Sequence, residues 1–151
     1  MGFLMSPIVY SNLAAAEMTS EPICPDWVVE GAPVARKCIL STSHDGDAST
    51  VLWDCTEGAF NWYFGYDETV HIVEGEVEIT DAQGFHQVLR ANDVAFFPAG
   101  SNSFWRVKGY VRKVAFCRTI MPAKVSAAIR FLRALKAKLK GGAAPQGLSP
   151  N

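Results

Sequence analysis

The sequence predicts an all-β sandwich or barrel followed by a single amphipathic helix. About nine short, apolar-alternating runs fall at spacings near 8–12 residues, each closed by a Gly, Pro, Asn or Asp signal. No helical period is sustained before Met121. From Ala123 to Lys140 the pattern changes, and Val125, Ala128, Ile129, Leu132, Leu135 and Leu139 recur at i, i+3/i+4. Strand pattern alone does not choose between sandwich and barrel.

In chain order, residues 1–26 hold no period and contain Pro7, Pro22 and Pro25, as expected of an arm that lies on the core or crosses to a partner. Asp26-Trp27-Val-Val leads to the turn Gly31-Ala-Pro33. Lys37–Ser41 is a strand, Asp45-Gly46 turns a loop that carries a solvated His44, and Ser49–Cys55 puts Val51, Trp53 and Cys55 on one face. Phe60, Trp62 and Phe64 then alternate, and Gly65-Tyr-Asp turns into Thr69–Val73. Glu74-Gly75 is expected to be a two-residue turn into Glu76–Thr80. Asp81-Ala-Gln-Gly84, Asn92-Asp93 and Pro98-Ala-Gly100 separate Phe85–Arg90, Val94–Phe97 and Ser103–Lys108, and Gly109 precedes Val111–Arg118. Pro122 suits the first turn of the helix, and Gly141-Gly142 stops it. The expected organisation is an arm at 1–26, a β domain at 27–120, a basic helix at 121–142 and a disordered tail at 143–151.

The 151 residues suffice for one domain with a real core. No run of 18 apolar residues exists to cross a membrane, and the start lacks the basic, long-apolar design of a secretory signal. The expected location is the cytoplasm. Met1-Gly2 with Ser6 fits a short myristoylation pattern that a loose N-terminus matches equally well. Cys24, Cys38, Cys55 and Cys117 have no paired spacing and read as reduced thiols, with a nucleophilic Cys55 as the alternative. All 15 acidic residues lie at or before Asp93, whereas 11 of the 14 Lys/Arg follow it. Interleaved strands turn much of this asymmetry into cross-strand pairs, except in the helix. There the apolar stripe either packs on the β domain or meets an acidic partner or an anionic membrane in weak contact through 123–140. Nucleic acid is not expected, because no aromatics interleave with the charges to stack bases.

Glu68 is the acid that opens a hydrophobic strand. Sharing a face with Val70 and Ile72, it points inward and needs a metal, a Lys or Arg, or strong donors. Gly58, positions 62 and 64, Glu68 and Gly75 are spaced like the first cupin motif, and Asn92-Asp93 through Pro98-Ala-Gly100 resembles the second. Trp53-Asp-Cys55-Thr-x-Gly58, Asp67-Glu68, Trp105 and Arg112-Lys113 resemble the small single-domain cupins of the ureidoglycine aminohydrolase type, over roughly residues 27–120.

The resemblance implies a conical jelly-roll barrel with a central cavity, and a homodimer. It also places the family's metal-ligand positions on Trp62, Phe64, Glu68 and Ser103, of which only Glu68 carries a good ligand atom. His71 is out of phase with Glu68, and His86 lies on another strand. One carboxylate without imidazole does not hold a first-row metal tightly, so no metal and no cofactor are expected. What then lines the cavity is Trp53, Trp62, Phe64 and Trp105 with Ser103. Either these rings simply pack the core, or they hold a small organic ligand by its apolar or cationic face, oriented by Glu68. Lys113 is the candidate partner of Glu68 in place of a metal, if it rather than Arg112 faces inward. The function expected is metal-independent small-molecule binding. The alternatives are an enzyme on a small nitrogen-containing metabolite, with Glu68 and Lys113 as catalytic groups, and an adaptor working through the basic helix.

Overall fold

Alternating burial along Asp67–Asp81 builds the strand at the centre of the fold: Glu68, Val70 and Ile72 point inward, while Thr69 and His71 point away. The computed structural model describes residues 7–140, and the chain divides after Thr119 into two units. The expected tail at 143–151, the helix stop at Gly141-Gly142 and the Met1-Gly2 pattern lie outside the described residues.

The first unit has eight strands: β1 (Thr19–Ser20), β2 (Val28–Gly31), β3 (Ala35–Thr42), β4 (Ala48–Tyr63), β5 (Asp67–Asp81), β6 (His86–Arg90), β7 (Val94–Phe97) and β8 (Asn102–Arg118). All pair antiparallel in the order β1-β3-β4-β8-β5-β6, with β2 also on β4 and β7 also on β5. The expected all-β barrel is present, but among the described residues its strand path does not close on itself.

Three glycines lie inside strands and merge the nine expected strands into six, and the short β1 and β2 bring the count to eight. Gly75 has φ +74° but sits in a bulge of a continuous β5, opposite Val111 of β8. A Cβ there would overlap the Tyr110 carbonyl oxygen and lie 2.8 Å from its carbon, so glycine is what lets the two backbones approach. Gly58 plays the same part in β4, where a Cβ would come within 2.7 Å of the Pro33 ring. Gly109 is simply carried within β8. The Asn92-Asp93 turn holds as read: Asn92 takes φ 76°, which Asn tolerates, and Asp93 Oδ2 accepts from Arg90 N at 2.7 Å.

Inward faces of β4, β5 and β8 assemble the core from Trp53, Phe60, Val70, Ile72, Trp105 and Val111, and the arm adds Ile23. The arm lies on the sheet. Thr19 and Ser20 pair with Lys37 and Arg36, Glu21 N donates to Ala35 O at 2.9 Å, and Arg112 Nη2 reaches Leu13 O at 2.5 Å. On the outer face, buried Asp54 ties three strands together. It accepts from Arg36 Nε at 3.0 Å, Arg36 Nη2 at 2.5 Å and Tyr110 OH at 2.8 Å. Burial and the bond to Asp54 push the Tyr110 hydroxyl up to about 12.

The second unit is the helix α1 (Ala123–Lys140), as its 3.6-residue period predicts. Ser126 N donates to Pro122 O at 3.0 Å, and Arg130 Nη1 to Ser126 Oγ at 3.0 Å, one turn apart.

Candidate ligand cavity

Burial decides between the two adjacent cations of β8. Lys113 is 3% exposed and faces inward between Val111 and Ala115, while Arg112 turns to the arm. On β8, Lys113 pairs with Ile72, four residues short of the register partner of Glu68, Cys117. Its flexible stem covers that distance, and Nζ donates to Glu68 Oε1 at 2.6 Å. Both groups are buried, so the pair is fully charge-assisted and little screened.

Indole rings complete the ammonium's surroundings. Lys113 Nζ lies 4.7 Å from the Trp105 ring centroid, 4.9 Å from Trp53 and 5.8 Å from Trp62. The rings meet mainly edge to face, Trp53–Trp62 at 5.7 Å and Trp53–Trp105 at 6.1 Å, leaving π faces available to the cation. Trp105 is fixed by its Nε1 bond to Ser103 Oγ at 2.8 Å. Trp53 Nε1 is buried and finds no partner among the described residues.

The pair stands in the wall of a cavity of about 630 Å³. Of the residues singled out in the sequence, Trp53, Trp62, Phe64, Glu68 and Lys113 line it. Trp105 and Ser103 do not: Trp105 lies beneath, stacked on Phe60 at 6.2 Å, and Ser103 is spent on holding Trp105. The expectation that these two line the cavity is corrected accordingly. Phe64 stacks on Phe97 at 4.4 Å and is pinned outside β4 by Gly100 N to Phe64 O at 2.7 Å, so the Pro98–Ser101 turn shapes this wall.

Sequence reasoning missed the arm's share of the lining. Ile23, Cys24 and Trp27 reach the cavity, with Trp27 edge-on to Trp62 at 5.7 Å. Pro25-Asp26, which starts a short 3₁₀ turn over Pro25–Trp27, was the available signal. Tyr63, Tyr66 and Cys117 also line it. Burial raises the Cys117 thiol to about 11 and the fully buried Cys55 thiol to about 12, which removes Cys55 as a ready nucleophile.

These residues do not fit the metal of metal-bearing cupins. Trp62 and Phe64 offer rings without ligand atoms where the resemblance places two histidines. Ser103 is engaged by Trp105, and the Glu68 carboxylate is neutralised by an ammonium. Among the described residues no cluster of three or more His, Cys, Asp or Glu stands in metal-binding range. No helix among them is long and apolar enough to cross a membrane.

Strand order and cavity define a cupin fold, and comparison with known proteins agrees. Residues 42–115 match the EutQ-like cupin domain, which supports a cupin family. A Pseudomonas syringae pv. tomato protein of unknown function from the DUF861 family aligns with TM-score 0.63 and 23% identity over 68% of this chain. The match spans only 45% of that protein's length. The Clostridium difficile EutQ protein aligns with TM-score 0.52 and 21% identity, covering 58% of this chain and 70% of that one. A Thermotoga maritima protein described as a predicted oxalate decarboxylase gives TM-score 0.58 and 14% identity over 76% of this chain and all of its own, 100%. At these identities the likeness is one of fold. Comparison with curated proteins gives no match.

Proposed function

We propose that this chain is a metal-independent cupin that binds a small organic molecule in the cavity, with Glu68 as its polar anchor. The observation that carries the reading is the Glu68–Lys113 pair at 2.6 Å in the cavity wall. The position that serves a metal in related cupins is served here by the chain's own ammonium. A cavity of this size, with six aromatic side chains beside a buried polar pair, has the make-up of a ligand site. The ureidoglycine aminohydrolase type of chemistry has less support, since the lone candidate acid–base carboxylate is held by Lys113. Native mass spectrometry of the purified protein, with thermal-shift screening of small metabolites, tests the reading. A ligand bound by the wild type and lost in Glu68→Gln supports it; unchanged affinity in that variant removes Glu68 as the anchor.

A second reading concerns α1. Val125, Ala128, Ile129, Leu132, Leu135 and Leu139 share one arc that also holds Lys136, with Lys124 and Lys138 beyond one edge and Arg133 beyond the other. Ala123, Ala127, Ala134 and Ala137 occupy the far side together with Arg130, and the helix has no acid. A solvated helix face ordinarily mixes both signs, whereas flanking cations above an apolar arc fit an anionic membrane surface. Cosedimentation with phosphatidylserine vesicles but not phosphatidylcholine vesicles, weakened by salt, is the expected result. Equal binding to both, or none, rejects it.

A further inference from the structure

Resting on the small-molecule reading above, the charges around the cavity also restrict what kind of molecule enters. Three indoles around a cationic centre are a suitable receptor for a quaternary ammonium ligand. Here that receptor is already filled. Lys113 Nζ occupies it at 4.7–5.8 Å from the three centroids, and its charge is matched one to one by Glu68. Lys37, the other lysine of the lining, is likewise paired, to Glu21 at 2.8 Å.

A ligand bringing a further charge to the Glu68 end therefore meets no free counter-charge. There a cation finds Trp53, Trp62 and Trp105 already engaged by Lys113 and has to draw Glu68 away from it. An anion approaching Lys113 is set against the Glu68 carboxylate. Either leaves an uncompensated charge in an aromatic, poorly solvated wall, the costly arrangement for a buried ion. Asp47 is the remaining charged residue of the lining; it is only half-buried, so solvent screens it.

Beside the unpartnered Trp53 Nε1 donor, the buried pair itself leaves one acceptor open. Glu68 Oε1 takes the lysine, whereas Oε2 has no hydrogen bond to any described residue, and the side chain keeps 11% of its surface where it lines the cavity. A carboxylate oxygen only accepts, so it calls for an N–H or O–H donor. Ile23, Trp27, Trp62, Tyr63, Phe64 and Tyr66 form an apolar and aromatic part of the wall, to which Ser49 and Thr119 add uncharged hydroxyls.

We propose that the cavity selects an uncharged molecule with an apolar body and one N–H or O–H donor directed at Glu68 Oε2. The Glu68–Lys113 pair acts as a charge filter: it excludes cations and anions because it is already neutral.

Four probes sharing a phenyl body test this: benzamide, acetophenone, benzyltrimethylammonium and benzoate, measured by ligand-observed NMR. Benzamide is expected to bind tightest, with acetophenone, which lacks the donor, about tenfold weaker and both ions weaker still. Two variants should invert the filter. Glu68→Gln leaves an unmatched ammonium and should shift preference to benzoate; Lys113→Met leaves an unmatched carboxylate and an emptied cage and should shift it to benzyltrimethylammonium. Wild-type binding of either ion as tight as benzamide overturns the filter while leaving small-molecule binding intact. Failure of all four at millimolar concentration, with no other ligand found by mass spectrometry, counts against the small-molecule reading itself.

Discussion

Replacing Lys113 by methionine keeps the length and apolar stem of the side chain but deletes its charge. Glu68, 9% exposed, is then left as a buried carboxylate without a counter-ion. Removing one partner of a buried pair costs about 3–5 kcal/mol. Loss of three cation–π contacts adds to this at about 0.5–2 kcal/mol each, and thioether–aromatic contacts return about 0.3–1.5 kcal/mol apiece. The expected cost is thus about 4 kcal/mol. Glu68→Gln should cost less, about 2 kcal/mol, because the amide oxygen still accepts from Nζ and the three indoles still hold the ammonium. In the double variant no charge is stranded, so the two costs should fall short of additivity by about 2 kcal/mol. Urea unfolding followed by tryptophan fluorescence is the assay. All 4 tryptophans, at 27, 53, 62 and 105, lie at or beneath the cavity, so the signal reports on the site itself. Additive costs, or a Lys113→Met protein as stable as wild type, would refute the argument that the pair and its cage act as one unit.

Other perturbations test the surrounding frame. Gly75→Ala should destabilise by at least about 2 kcal/mol, since the left-handed backbone and the overlap with Tyr110 both oppose a Cβ; a neutral result in urea unfolding would mean that β5 and β8 separate easily there. Trp105→Phe should cost about 1–3 kcal/mol more than Trp53→Phe, because only the former strands a bonded partner, Ser103 Oγ, in the interior. Stability should also fall at alkaline pH. Cys55, Cys117 and Tyr110 all have folded values raised above their ordinary ones, to about 12, 11 and 12. Their contribution is whole below the unfolded values near 9 and 10 and is lost as pH climbs to about 11–12. Thermal melts between pH 8 and 11 should show this loss, and Cys55→Ala should flatten it.

Period-2 alternation made the inward face of β5 legible, and with it Glu68, because a strand has only two sides. Arg112 and Lys113 stayed undecided because Gly109 split β8 into two runs in the sequence; in the structure Ser103, Trp105, Val107, Val111, Lys113 and Ala115 keep one parity along the whole strand. Gly75 was read as a turn because left-handed glycine usually makes one. Here tertiary pressure from β8 requires it inside a strand. Trp105 shares the inward face with Lys113, yet depth along the strand, which alternation does not encode, puts it below the cavity floor. The arm was opaque for another reason. Ile23, Cys24 and Trp27 follow no period, since what positions them is pairing with β3 and packing on Trp62.

Elemental analysis of untagged protein, dialysed against zinc and manganese and then freed of unbound ion, tests the central claim most directly. If Lys113 serves in place of a metal, the wild-type chain retains well under one equivalent of either ion. One tightly held equivalent, abolished by Glu68→Gln, would contradict the account, because the carboxylate would then have exchanged its lysine for a metal.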